Sequence, residues 1–192
     1  MKGLREYELK TRLREPAEFL RERLKGAGWR VVFAGEMRDR RYDTSGADLE
    51  ARDEVLRLRR YVDTKGRVSF VLGWKGPASM AAGFKLREEL ETRVEHGDRV
   101  GEILARLGYP EITIAIDRRI EIYEKDEVTV RIEEYPRMDV LIEIEGEPAR
   151  VNERVPELGI PREQWSSASL AAFVDAYERR TGRKAILSLE DR

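Results

Sequence analysis

The sequence predicts an α+β fold built mostly from antiparallel strands. Two observations predict it. Apolar and charged residues alternate at a period of two over much of the chain, as in Leu56-Arg57-Leu58-Arg59 and Phe84-Lys85-Leu86-Arg87, which is the pattern of pleated strands with unlike faces. The 3.6-residue period of an amphipathic helix shows in only a few stretches. At 192 residues the chain is long enough to bury a core without staples. No linker separates two cores, so residues 1–192 are expected to form a single domain.

Residues 2–11 read as the first strand, with Glu6, Glu8 and Lys10 alternating with Tyr7, Leu9 and Thr11. A helix follows over 16–27. Pro16 is tolerated in a first turn, where its missing N–H has no partner to lose. Phe19, Leu20, Leu24 and Ala27 share a face, and Gly28 stops the helix. Residues 29–42 read as one strand or two. Residues 44–53, with Ser45, Gly46 and Asp48, read as a loop. Strands at 55–62 and 68–74 are joined by the turn Asp63-Thr64-Lys65-Gly66. Residues 76–83, rich in Gly, Pro, Ser and Ala, read as a loop able to fold over a neighbouring opening, and 84–94 as a strand. A second helix spans 96–107, with Val100, Ile103, Leu104 and Leu107 on its apolar face. His96 sits at its start, where a solvent or helix-start role is expected rather than catalysis. Residues 111–123 and 127–132 pair across the turn Glu124-Lys125-Asp126, and 140–145 is a late strand. Residues 151–158 read as a short helix. The last helix covers 169–180, with Leu170, Phe173, Val174 and Tyr177 on one side, Ser166 or Ser167 as its cap and Gly182 at its end. Residues 183–192 read as a final strand or an ordered arm.

Composition excludes several function classes. Charged residues make up 39% of the chain, 37 Lys plus Arg against 38 Asp plus Glu, for a net charge of −1. Average soluble domains are about 25% charged, and nucleic-acid binders lean basic, so no nucleic-acid partner is expected. Cysteine is absent, which excludes disulfides, thiolate metal sites and a cysteine nucleophile. A single His excludes a multi-histidine metal centre. No apolar run approaches the ~20 residues of a membrane span, and the N-terminus carries no apolar leader. A cytoplasmic protein without a membrane partner is therefore expected.

The charges fall in same-face blocks. Glu6, Glu8 and Lys10 share one strand face, as do Arg57 and Arg59. Lys85, Arg87, Glu89 and Glu91 stand in line opposite Phe84, Leu86 and Leu90. Arg131 and Glu133 share a face, and so do Glu143 and Glu145. A solvated sheet face explains any one of these strands. The whole set fits a sheet that curves closed with its charged faces inward, because a channel holding both signs must pair them or bind ligands. Carboxylates without His or Cys suit Mg²⁺ or Mn²⁺. Arg and Lys suit phosphate oxygens. No Walker A or Gly-x-Gly-x-x-Gly motif is present, so phosphates would be held by side chains rather than by a backbone nest.

These residues carry a resemblance. Glu6-Tyr7-Glu8-Leu9-Lys10 resembles the Glu-x-Glu-x-Lys opening of the CYTH family, the triphosphate tunnel metalloenzymes, which include class IV adenylyl cyclases, thiamine triphosphatases and inorganic triphosphatases. Leu56-Arg57-Leu58-Arg59, Trp74-Lys75-Gly76-Pro77, Arg87-Glu88-Glu89-Leu90-Glu91 and Glu143-Ile144-Glu145-Gly146 follow in the family's order, and Arg118-Arg119 fall at its basic position. The resemblance implies an eight-stranded antiparallel closed barrel with helices packed outside and the active site in its bore. It implies Mg²⁺ or Mn²⁺ held by Glu6, Glu8, Glu133, Glu143 and Glu145, and phosphates held by Lys10, Arg57, Arg59, Lys75, Lys85, Arg87, Arg119 and Arg131. Glu89 and Glu91 look like a further acidic pair. Two positions depart from the family's pattern: Glu133 stands where the family often has Asp, and Asp139 replaces a Gly, either near the bore or in a turn.

The implied activity is metal-dependent hydrolysis of a triphosphate, with Glu8, Lys10 and Glu143 in catalytic roles. A class IV adenylyl cyclase, converting ATP to cyclic AMP and pyrophosphate, uses the same bore. Phe33, Met37, Tyr42, Trp74 and Met80 are available to seat its base, and each is equally at home in ordinary packing. A non-enzymatic module that binds a metal-triphosphate or nucleotide is the third reading. The expected partner is a small-molecule triphosphate, and the chain is expected to be a monomer or homodimer.

Overall fold

The computed structural model describes residues 4–189, leaving aside the side chains of residues 4–6, 113 and 114. The strands are β1 (Leu4–Arg12), β2 (Arg30–Tyr42), β3 (Val55–Asp63), β4 (Val68–Lys75), β5 (Ser79–Ala81), β6 (Phe84–Val94), β7 (Glu111–Lys125), β8 (Val128–Glu134) and β9 (Leu141–Glu145). The helices are α1 (Ala17–Gly26), α2 (Asp48–Ala51), α3 (Gly97–Arg106), α4 (Pro148–Arg154) and α5 (Leu170–Thr181). Neighbouring strands run β1-β9-β8-β7-β2-β3-β4-β6, and β6 returns to β1, so eight strands close into an antiparallel barrel. Closure leaves no free edge along the wall. The short β5 extends the edge of β6.

The alternation seen in the sequence becomes inside and outside. Leu9, Val130, Ile132, Ile142 and Ile144 point outward and are fully buried against α1, α4 and the 3₁₀ turn Val155–Leu158. Their charged neighbours in sequence point into the bore. A second cluster sits at one end of the bore, where Leu170 and Phe173 of α5 pack on Ile116, Tyr135 and Leu141. Long β2 stays in register with its neighbours only through irregularities at Val31/Phe33 and Arg40/Tyr42, the local kinks that let a strand bend around a barrel. Gly35 passes so close to the Val62 carbonyl that a Cβ could not fit.

Several local expectations are corrected. The β7–β8 turn is Asp126-Glu127, both with positive φ, the geometry of a two-residue hairpin turn. Residues 44–53 contain the one-turn α2, organised by Asp43, whose carboxylate accepts from the N–H groups of Thr44, Leu49 and Glu50. Residues 76–83 contain β5 and are not wholly loop. The cap of α5 is Ser169, whose hydroxyl accepts from Ala172 N–H at 3.3 Å, rather than Ser166 or Ser167. The tail runs as an arm with one bridge, Arg137 to Ile186; residues 2, 3 and 190–192 lie outside the described residues.

Candidate active site in the barrel bore

Register brings the bore residues together. Glu8 sits between Glu145 on β9 and Lys85 on β6, and Lys10 sits opposite Glu143. Glu143 in turn faces Arg131 on β8. Arg57 and Arg59 on β3 stand opposite Arg41 and Asp39 on β2, and Lys75 on β4 is opposite Glu89 on β6. All of these but Glu145 and Glu89 line a cavity of about 350 Å³. On the wall at Ile116, Ile120, Met37 and Leu170 the lining is apolar.

Glu8, Glu143 and Glu145 present carboxylate oxygens within 4.8 Å of one another. All three are buried. They form an acidic cluster able to chelate a divalent metal ion. The donor set fits a hard cation, being all carboxylate oxygen with no His or Cys. Their charge is balanced by bore cations: Lys10 lies 2.5 Å from Glu143, Arg131 pairs with Glu143 at 2.5 Å and also with Glu145, and Lys85 pairs with Glu8. Burial pushes the Glu143 carboxyl up, but Lys10 and Arg131 outweigh it and hold it well below the usual carboxylate range. Burial opposes the Lys10 ammonium in the same way, and Glu143, Glu133 and Glu8 raise it above the usual lysine value.

A second lattice lies on the β3, β4 and β6 wall. Glu91 pairs with Arg57 at 3.0 Å and with Arg59, and Glu89 pairs with Lys75 and lies 3.5 Å from Arg57. Burial and Arg57 push the Lys75 ammonium down despite Glu89. Arg87 pairs with Asp53, whose other oxygen accepts from Ala78 N–H at 2.6 Å and so ties the β4–β5 loop to the rim. The Nε groups of Arg41, Arg57, Arg59 and Arg87 are shielded from solvent with no hydrogen-bond partner among the described residues. Buried donors without acceptors are costly, and oxygen-rich anions would satisfy them.

The sequence-derived set is mostly gathered here. Glu8, Lys10, Arg57, Arg59, Lys75, Lys85, Arg87, Glu89, Glu91, Arg131, Glu143 and Glu145 all belong to the two lattices. Glu6 lies on β1 opposite Arg87, and its side chain is outside the described residues. Glu133 faces the bore but stands apart from the three clustered carboxylates, against Arg118. Arg119 is corrected: its side chain is exposed on the outer face, and its neighbour Arg118 points inward, because β7 is paired so that Ile116, Arg118 and Ile120 line the cavity. Asp139 anchors α5 instead of entering the bore, 2.6 Å from Arg180. Of the candidate base-seating residues, Met37 and Tyr42 line the cavity, Phe33 packs edge-on against Tyr61 with ring centroids 5.3 Å apart, Trp74 pairs outward with Leu90, and Met80 is exposed. Sequence reasoning missed Asp39 and Arg41, and of the pair Arg118-Arg119 it took Arg119. The signal was the alternation Met37-x-Asp39-x-Arg41, whose phase was readable once β2 was taken as one strand.

The sequence pattern of the CYTH domain matches residues 4–154, which hold every strand of this barrel. The chain belongs to the CYTH domain family. CYTH proteins form the triphosphate tunnel metalloenzyme superfamily, and the charged bore is the tunnel of this one. Among relatives, the "Putative adenylate cyclase MJ0240" of Methanocaldococcus jannaschii is 27% identical over 149 residues, covering 78% of this chain and 81% of that protein. The PH1819 protein of Pyrococcus horikoshii superposes with a TM-score of 0.67 at 25% identity, over 93% of this chain and 99% of that one. A Vibrio parahaemolyticus protein shares the fold with a TM-score of 0.75 at 19% identity, over 91% and 99% of the two chains. Among the described residues no helix is long and apolar enough to cross a membrane.

Proposed function

We propose that this CYTH protein hydrolyses the terminal phosphoanhydride of a triphosphate, inorganic or organic, with Mg²⁺ or Mn²⁺ held by Glu8, Glu143 and Glu145. One observation carries the reading: three buried carboxylates converge within 4.8 Å at a cavity to which Lys10, Arg41, Arg57, Arg59, Lys75 and Arg131 contribute cationic side chains. When bound there, the cation supplies charge neutralisation and polarises phosphoryl oxygens. The chain's own residues do the rest. Arg41, Arg57, Arg59, Lys75 and Arg87 offer donors along the phosphate chain; Glu89 and Glu91 hold Arg57, Arg59 and Lys75 in place before substrate arrives, and Asp53 holds Arg87. Lys10 and Arg131, next to the carboxylate cluster, stabilise charge spreading over the equatorial oxygens of the transferring group. Glu8 and Glu143 are the groups placed to orient the attacking water. Its oxygen bonds to the terminal phosphorus as the bridging P–O bond breaks, the rest of the phosphate chain leaves with the bridging oxygen and its electron pair, and the water's proton passes to solvent.

The cyclase reading has one observation in its favour. The apolar wall at Met37, Ile116, Ile120 and Leu170 gives an organic group somewhere to rest, and the Methanocaldococcus jannaschii relative bears a cyclase name. Purified protein incubated with ATP and either Mg²⁺ or Mn²⁺ separates the two. The hydrolase yields ADP and orthophosphate; cyclic AMP with pyrophosphate would reassign the reaction. Tight metal-dependent binding without product would make the chain a binding module.

A further inference from the structure

Glu133 is almost wholly buried in the bore, and each of its oxygens faces a neighbour other than the three clustered carboxylates. Oε1 is ion-paired with Arg118, 3.0 Å from its Nε, although that N–H is not aligned for a hydrogen bond. Oε2 accepts from the Tyr135 hydroxyl at 2.7 Å. Tyr135 is itself buried, and the Arg118 guanidinium lies 5.7 Å from the centre of its ring. The three side chains form a closed unit: Tyr135 fixes Glu133 by a hydrogen bond and supports Arg118 by its ring face, and Glu133 fixes Arg118 by charge. The alternation of β8 makes this possible, since Arg131, Glu133 and Tyr135 succeed one another at period two and all line the cavity. Arg131 reaches the clustered carboxylates, whereas Glu133 is held on the Arg118 side.

We propose that Tyr135 is a positioning residue that commits Glu133 to Arg118, so that Glu133 aims a phosphate-binding guanidinium rather than serving as a metal ligand. The physical reason is the company its oxygens keep. A carboxylate with one oxygen accepting from a hydroxyl and the other ion-paired to a guanidinium is held on the Arg118 side, and turning it toward the Glu8, Glu143 and Glu145 cluster would break that ion pair and leave the buried hydroxyl without its acceptor. The inference rests on the reading of the bore as a triphosphate site. It divides the bore acids into two kinds: those that gather around a cation, and one that orients a base.

Two titrations that need no turnover test it. In the first, Mn²⁺ alone is titrated into wild type, Glu133→Gln and Glu143→Gln. Glu133→Gln should bind Mn²⁺ within about twofold of wild type while Glu143→Gln loses it. Loss of Mn²⁺ binding in Glu133→Gln would overturn the proposal. In the second, tripolyphosphate is titrated without metal. Tyr135→Phe keeps the ring and removes only the hydroxyl, and should weaken binding about tenfold, the cost of one charge-assisted hydrogen bond. The double variant Tyr135→Phe/Glu133→Gln should be no weaker than Glu133→Gln alone. Unchanged tripolyphosphate affinity in Tyr135→Phe, with only a lower melting temperature, would make the tyrosine structural and sink the idea. If wild type binds no tripolyphosphate at all, the reading of the bore fails instead, and the Mn²⁺ comparison still decides whether Glu133 is a ligand.

Discussion

The two sides of the barrel wall are built differently. The β1, β8 and β9 side carries Glu8, Glu143 and Glu145 inward, and its outward residues Leu9, Val130, Ile132, Ile142 and Ile144 are sealed beneath α1 and α4. The β4 and β6 side carries Lys75, Lys85 and Arg87 inward, and its outward face is only partly covered: Phe84 is buried, but Leu90 is 51% exposed and Val68 46% exposed. A metal site needs its ligands within a few tenths of an ångström, so its carboxylates stand on the most densely packed strands. A phosphate chain is long and adaptable, and apart from Lys10 and Arg131 beside the carboxylates, its cations stand on strands with less support. The difference teaches where this fold invests its packing.

The comparison can be broken most directly on the acidic side. Glu143→Gln should remove Mn²⁺ binding and lower triphosphate turnover by at least about 100-fold, and Glu8→Gln should do the same; turnover near wild type in either would remove that residue from the site. A pair of truncations tests the packing claim. Ile144→Ala should cost about 2–5 kcal/mol in urea unfolding, the range for emptying a closed core site. Leu90→Ala should cost under ~1 kcal/mol, because that side chain is already half in water. Equal losses would show that the two sides are supported alike.

Arg41 sharpens the contrast. It stands directly opposite Arg57, with no acidic partner within ion-pair distance among the described residues. Burial pushes its guanidinium down, and Arg57, Arg118 and Arg87 add to that against Asp39. Like charges opposed across strands destabilise by about 0.2–1 kcal/mol. Arg41→Gln should therefore raise stability by a few tenths of a kcal/mol while weakening tripolyphosphate binding about tenfold. A variant that loses both stability and affinity would show that Arg41 is structural.

The smallest effect lies outside the bore. Burial pushes the Glu157 carboxyl up, but Lys125, Arg154 and the indole N–H of Trp29 overcome it and hold it below its ordinary value of 4.5. A carboxylate depressed in the folded state adds stability above its unfolded pKa and loses it as pH falls through the folded one. Glu157→Gln should thus be slightly less stable than wild type at neutral pH, and the two should converge well below pH 4.5. A gap that persists in acid would mean that the residue acts through packing.

Much of this molecule was legible in its sequence. The alternation at Leu56–Arg59 and Phe84–Glu91 gave strand faces without ambiguity, because an alternating run has only one phase. Arg118 against Arg119 was not legible: two adjacent arginines fit either phase, and the choice was made by how β7 pairs with a β2 that is irregular in two places. Asp39 and Arg41 were hidden for the same reason. β5 was hidden by composition, since Gly, Pro, Ser and Ala signal a loop and the strand forms only because β6 offers an edge. The surroundings of Glu133 were half legible: Tyr135 follows it at period two, but its contact with Arg118 depends on the β7–β8 register and so on the same choice between the two arginines.

The central claim is that carboxylates on the packed side and cations on the open side act together on one triphosphate. Orthophosphate release from tripolyphosphate, measured with Mn²⁺ and again after chelation, tests it most directly. The account predicts release with the metal and none after chelation, abolished in Glu8→Gln. Release that persists after chelation, or at an undiminished rate in Glu8→Gln, would contradict it.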